Sequence, residues 1–84
     1  MDEYLPEGHS VWVRSQSGGV TFTVTPTYNN IDSLKKAIKA EIGSDYTGNA
    51  ALITITAPDE ATVLSEDTPL EANTRNTPYQ YKLP

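Results

Sequence analysis

Trp12 and Arg14 stand two residues apart in "SVWVRS" (10–15), a spacing that puts both side chains on one face of a strand. A tryptophan beside an arginine on an open sheet is recognition chemistry, because both residue types dominate the hot spots of protein interfaces. The assignment needs Val11 and Val13 to face a core. The opposite one buries the indole and turns the valines outward.

Reaction chemistry is harder to assemble. His9 is the single histidine, no cysteine is present to act as a nucleophile, and the serines are scattered through turns. General acid–base work needs positioned groups with shifted pKa values in a cleft, and a small two-layer domain with threonines on its free face offers none. The expectation is no enzyme and no cofactor. Asp59-Glu60 and Glu66-Asp67 are adjacent acidic pairs, whereas calcium loops place ligands at alternate positions around a glycine turn. They read as solvated loop carboxylates, with no metal site. Gly18-Gly19 lacks the Lys-Ser/Thr and the following helix of a phosphate loop, so it reads as a turn.

The elements that would position Trp12 and Arg14 follow from periodicity. "SVWVRS" and "VTFTVT" (20–25) both alternate; Val20, Phe22 and Val24 share one face, and Thr21, Thr23 and Thr25 the other. "QSGG" between them supplies glycines for a hairpin turn, and Pro26 ends the second strand. "NNIDSLKKAIKAEIG" (29–43) predicts a helix over 31–42. Asn30 is the N-cap, Asp32 lies in the first turn, Ile31, Leu34, Ile38 and Ile42 form one apolar stripe, and Gly43 is the αL C-cap. Lys35, Lys36 and Lys39 are expected on a solvated helix face, with Asp32 and Lys36 paired at i, i+4. "ALITITA" (51–57) reads as a third strand. A polar connection follows, with Val63-Leu64 as a short fourth, and "YQYKL" (79–83) is the last.

Eighty-four residues make one domain, expected here over 10–84 after a flexible lead-in at 1–9. A net charge of −5 is the opposite of a nucleic-acid footprint, and no stretch approaches a membrane span. Neither nucleic acid nor membrane is therefore an expected partner. The expected class is a soluble α+β domain with a mixed sheet of four or five strands and one helix packed on one face. The hairpin would hold the centre of that sheet, with its first strand parallel to 79–83. The predicted core is Val11, Val13, Val20, Phe22, Val24, Ile31, Leu34, Ile38, Ile53, Ile55, Leu64 and Leu70.

This order resembles the ubiquitin-like β-grasp family. The residues that carry the likeness are Val11/Val13, "SGG", Val20/Phe22/Val24, Pro26, Ile31/Leu34/Ile38 and the later pair Leu64 and Leu70. More narrowly, "DSLKKAIKAE", the following "LITI" and a last strand ending in proline look like the N-terminal header domain of Crinkler effector proteins. That family's Leu-Phe-Leu-Ala-Lys signature has no counterpart here, since 52–56 reads "LITIT". The resemblance implies a non-catalytic protein-interaction module, a header or targeting domain of a larger effector-type protein. Such a protein is intracellular or, if Crinkler-like, secreted to act in host cells. A small stand-alone assembly subunit is the alternative. Modifiers of the ubiquitin type conjugate through a C-terminal di-glycine; this chain reads "YKLP" there, so no conjugation through the C-terminus is expected. The face opposite the helix is expected to bind a protein partner or a second copy, through Trp12 and Arg14 with Thr21, Thr23, Thr54, Gln80 and Lys82. The last three make polar the patch that is aliphatic in ubiquitin, so ordinary ubiquitin receptors are expected to bind it weakly.

Overall fold

The computed structural model describes residues 9–58 and 62–84. Its sheet has four strands: β1 (Val11–Ser15), β2 (Phe22–Val24), β3 (Thr54–Thr56) and β4 (Tyr79–Lys82). They lie in the order β2-β1-β4-β3. β1 pairs antiparallel with β2 and parallel with β4, and β3 pairs antiparallel with β4. One helix, α1 (Ile31–Ile42), lies across one face, so the class is α+β with a mixed sheet. Only β1 of the hairpin is central; β2 is an edge strand, contrary to the expectation that the hairpin as a whole holds the centre.

α1 forms where its capping residues and stripe require it. The Asn30 side chain accepts from the Ser33 amide at 2.8 Å, satisfying one of the orphan donors of the first turn. The next two are met by a loop from far along the chain: Ile31 N–H donates to the Thr68 carbonyl and Asp32 N–H to that of Glu66. Ile31, Leu34 and Ile38 are fully buried, and Asp32 pairs with Lys36 at 3.1 Å. Gly43 ends the helix with φ 57° and ψ −120°, leading into a 3-10 turn (Gly43–Asp45) rather than the αL cap expected of it. Among the described residues no helix is long and apolar enough to cross a membrane.

The core contains Val11, Val13, Val24, Ile53, Ile55 and Leu70 beside the helix stripe, with Phe22, Ile42 and Leu64 packed partly buried against it. Tyr79 and Tyr81 from β4 complete it, and the Tyr81 and Phe22 rings meet edge to face at 6.2 Å. Val20 does not belong to it. It is 78% exposed because the connection of the hairpin is longer than a tight turn: Gly18 and Gly19 take φ of 100° and 117°, and the ladder resumes only at Phe22.

The third strand is also shorter than the alternation in 51–57 implies. The Asn49 side chain accepts from the Ala51 amide and closes a 3-10 turn over Ala50–Leu52, so the strand starts at Thr54 and Leu52 is exposed. Val63 makes one isolated bridge to Thr56 instead of a strand. Lys35 is not on a solvated face. It falls at i+4 from Ile31, inside the apolar stripe, and is buried with its Nζ 3.6 Å from Glu66 Oε2 and 3.5 Å from the Ala51 carbonyl. The expected lead-in lies outside the described residues apart from His9, which is exposed.

Candidate protein-binding face

The register fixes which side chains share the face opposite α1. Trp12 stands across from Thr23, Arg14 from Gln80, and Gln80 in turn from Thr56. Thr54 stands across from Lys82. Val63, bridged to Thr56, continues that row past the edge of β3. Because Val11 and Val13 are fully buried, the alternation of β1 turns Trp12 and Arg14 to this outer face.

The face is not evenly open. Trp12, Arg14, Thr21 and Thr54 are half-buried, whereas Thr23, Lys82 and Val63 are exposed. Gln80 corrects the expectation of an open residue there: it is only 4% exposed, and its neighbour Thr56 only 2%. The register gives the reason. Gln16, one residue beyond β1, donates through Nε2 to Thr56 Oγ1 at 2.6 Å, and β4 lies between those two strands. The Gln16 side chain therefore crosses over β4. The accessible part of the face is an arc through Trp12, Arg14 and Lys82, with Thr23 and Thr54 on its flanks.

Trp12 is held by a contact that leaves no periodic trace in the sequence. β1 begins before β4 does, so the N–H and C=O of Trp12 face the β4 side with no strand opposite. The Asn73 side-chain amide fills that place. Its Oδ1 accepts from Trp12 N–H at 2.9 Å, and its Nδ2 donates to the Trp12 carbonyl at 2.9 Å, imitating one peptide unit of a ladder. The indole N–H itself has no hydrogen-bond partner among the described residues. Arg14 Nε is buried and likewise has none.

The acidic pairs are committed elsewhere or not described. Glu66 faces Lys35, Asp67 accepts from the Ser65 hydroxyl, and Asp59-Glu60 lies outside the described residues. A groove of about 350 Å³ lies at the hairpin end of the layers, lined by Gly18, Gly19, Val20, Phe22, Ile42 and Tyr81, among others. Comparison of the chain with protein families, curated proteins and solved structures finds no match.

Proposed function

We propose that this chain is a β-grasp domain of the ubiquitin-like type, acting as a non-catalytic protein-interaction module through the outer face of its sheet. Three features support the fold: the parallel β1–β4 pair at the centre, the helix connecting β2 to β3 across one face, and the Thr56–Val63 bridge extending the sheet past β3. A targeting role at the N-terminus of a larger effector-type protein belongs to the same proposal and rests only on the resemblance carried by the helix, "LITI" and the last strand ending in proline.

The observation that carries the binding role is the position of Trp12. A large aromatic residue between two fully buried valines stays partly in solvent, keeps an indole donor with no partner among the described residues and has Arg14 beside it. Its backbone is fixed by Asn73, so the ring is presented from a rigid strand, which limits the entropy lost on binding.

A photo-cross-linking residue in place of Thr54, on the outer face, tests this against the same residue in place of exposed Ala40 on α1. The proposal predicts a discrete adduct with a partner or a second copy from position 54 alone, abolished by Trp12→Ala. Equal capture from both positions, or capture that survives Trp12→Ala, contradicts it.

A further inference from the structure

Charge is divided unevenly between the two layers. Asp32 and Glu41 lie on α1, Glu66 and Asp67 in the loop that caps it, and Glu71 donates its amide to the hydroxyl of inward-facing Tyr79. Lys35 and Lys36 on the same layer are tied to Glu66 and Asp32, which leaves Lys39, in the last turn of α1, as the helix's one cation without an ion pair among the described residues. The outer face carries Arg14 and Lys82, and neither makes an ion pair among the described residues. Around them the sheet presents Trp12, Gln16, Thr23 and Thr54, with Thr56 and Gln80 buried beneath Gln16, and none of these is acidic. Arg75 stands in the turn closed by the Thr77 amide on the Thr74 carbonyl, two residues from the clamping Asn73 at the Trp12 end. A chain of net charge −5 thus keeps its unpaired strand cations together on one face.

Resting on the reading of this face as a binding surface, we propose that its partner is an acidic segment of another protein. The segment is extended, with carboxylates at alternate positions for Arg14 and Lys82 and an apolar side chain against Trp12. Arg14 is level with Gln80, and Lys82 lies one pleat further along β4. With a rise of ~3.3 Å per residue and ~4.8 Å between strands, the two cations stem from points about 8 Å apart. Alternate residues of an extended chain project to one side about 7 Å apart, which matches that separation within side-chain reach. Arg14 supplies the directional contact, since a guanidinium takes a carboxylate through two parallel N–H donors while its buried Nε leaves the charge otherwise unanswered. Nucleic acid fits less well, because phosphate backbones select broad basic surfaces and this one has two cations on its strands.

The test is an amide-shift NMR titration of the full chain. One probe is the blocked peptide Leu-Ser-Glu-Ser-Glu, the second is its counterpart with Gln for both Glu, and the third is single-stranded oligothymidylate. The proposal predicts that the Glu peptide shifts the Trp12 indole and the amides of β1 and β4, leaving α1 unmoved. Arg14→Gln should weaken it by roughly tenfold, as for loss of one charge-assisted contact, and added salt should weaken it further. Equal binding of the Gln peptide on this face overturns the acidic preference and leaves the binding face standing. Tighter binding of oligothymidylate overturns it in favour of a nucleic-acid ligand. No shift on this face with any probe up to millimolar concentration removes both the acidic preference and the face.

Discussion

Val11 and Val13 are fully buried under α1, while Trp12 and Arg14, interleaved with them on the same strand, remain partly in solvent. The inner face is apolar and closed: Ile53 and Ile55 on and beside β3, and Tyr79 and Tyr81 on β4, all point into the helix layer. The outer face is built from amides, hydroxyls, two cations and one indole, and is closed only where Gln16 crosses to Thr56. On the proposed reading, stability and recognition are thereby separated by a single residue step. Inner side chains are fixed by the cost of cavities; outer ones are free of that constraint.

The largest expected effect tests the inner face. Leu34→Ala or Ile38→Ala removes a fully buried side chain and should cost about 2–5 kcal/mol in chemical unfolding. A loss under about 1 kcal/mol at both positions contradicts the packing of α1 on the sheet.

Asn73→Ala acts at the boundary between the faces. It strips two hydrogen bonds from the Trp12 backbone and should cost about 1–2 kcal/mol. Hydrogen exchange of the Trp12 amide should accelerate more than that of Val13, whose amide faces β2. Unchanged exchange at Trp12 would mean that water replaces the clamp at no cost.

Trp12→Ala should change stability by less than about 1 kcal/mol, as substitutions on a partly solvated face usually do. In binding it should cost about 2 kcal/mol or more, as for a hot-spot residue. A loss of stability comparable to that of Leu34→Ala would show that the two faces are not separable.

The smallest effect appears only at alkaline pH. Burial raises the Tyr79 phenol above its ordinary pKa; the hydrogen bond from the Glu71 amide offsets part of this, and the Glu71 carboxylate adds to it. Below pH about 10 the phenol is protonated in both folded and unfolded chains, so its contribution is fully present. As pH rises further the unfolded chain ionises first, and stability falls until the folded pKa is passed. Tyr79→Phe should give a shallower alkaline decline in denaturant midpoint. An identical decline would contradict a buried, protonated phenol.

The bounds of α1 were legible to the residue, because an N-cap at Asn30, a stripe at helical spacing and a glycine at 43 all point to them. Gly43 itself does not take the αL conformation expected of it. The parallel β1–β4 pair and the outward Trp12 are expected from the resemblance to the β-grasp pattern, because the alternation of β1 alone leaves either set of side chains free to face the core. The sequence misled wherever a side chain competed with the pattern. Asn49 bends Ala50–Leu52 out of the strand that "ALITITA" suggests, and Lys35 reaches through an apolar stripe that charge alone would exclude it from. The contacts that shape the outer face of the sheet were not legible at all. Asn73 meets Trp12 across 61 positions and Gln16 meets Thr56 across 40, and neither spacing carries a periodic signal.

Trp12 is the only tryptophan in the chain, so its fluorescence reports the outer face alone. The most direct measurement compares its quenching by iodide and by caesium, each normalised to free N-acetyltryptophanamide, at ionic strength near 0.1 M, where charges beyond ~10 Å are largely screened. An open face with Arg14 beside the indole predicts ready quenching with iodide favoured over caesium, against the net charge of −5. An indole that neither ion reaches, or one that caesium quenches better, contradicts a cationic binding face centred on Trp12.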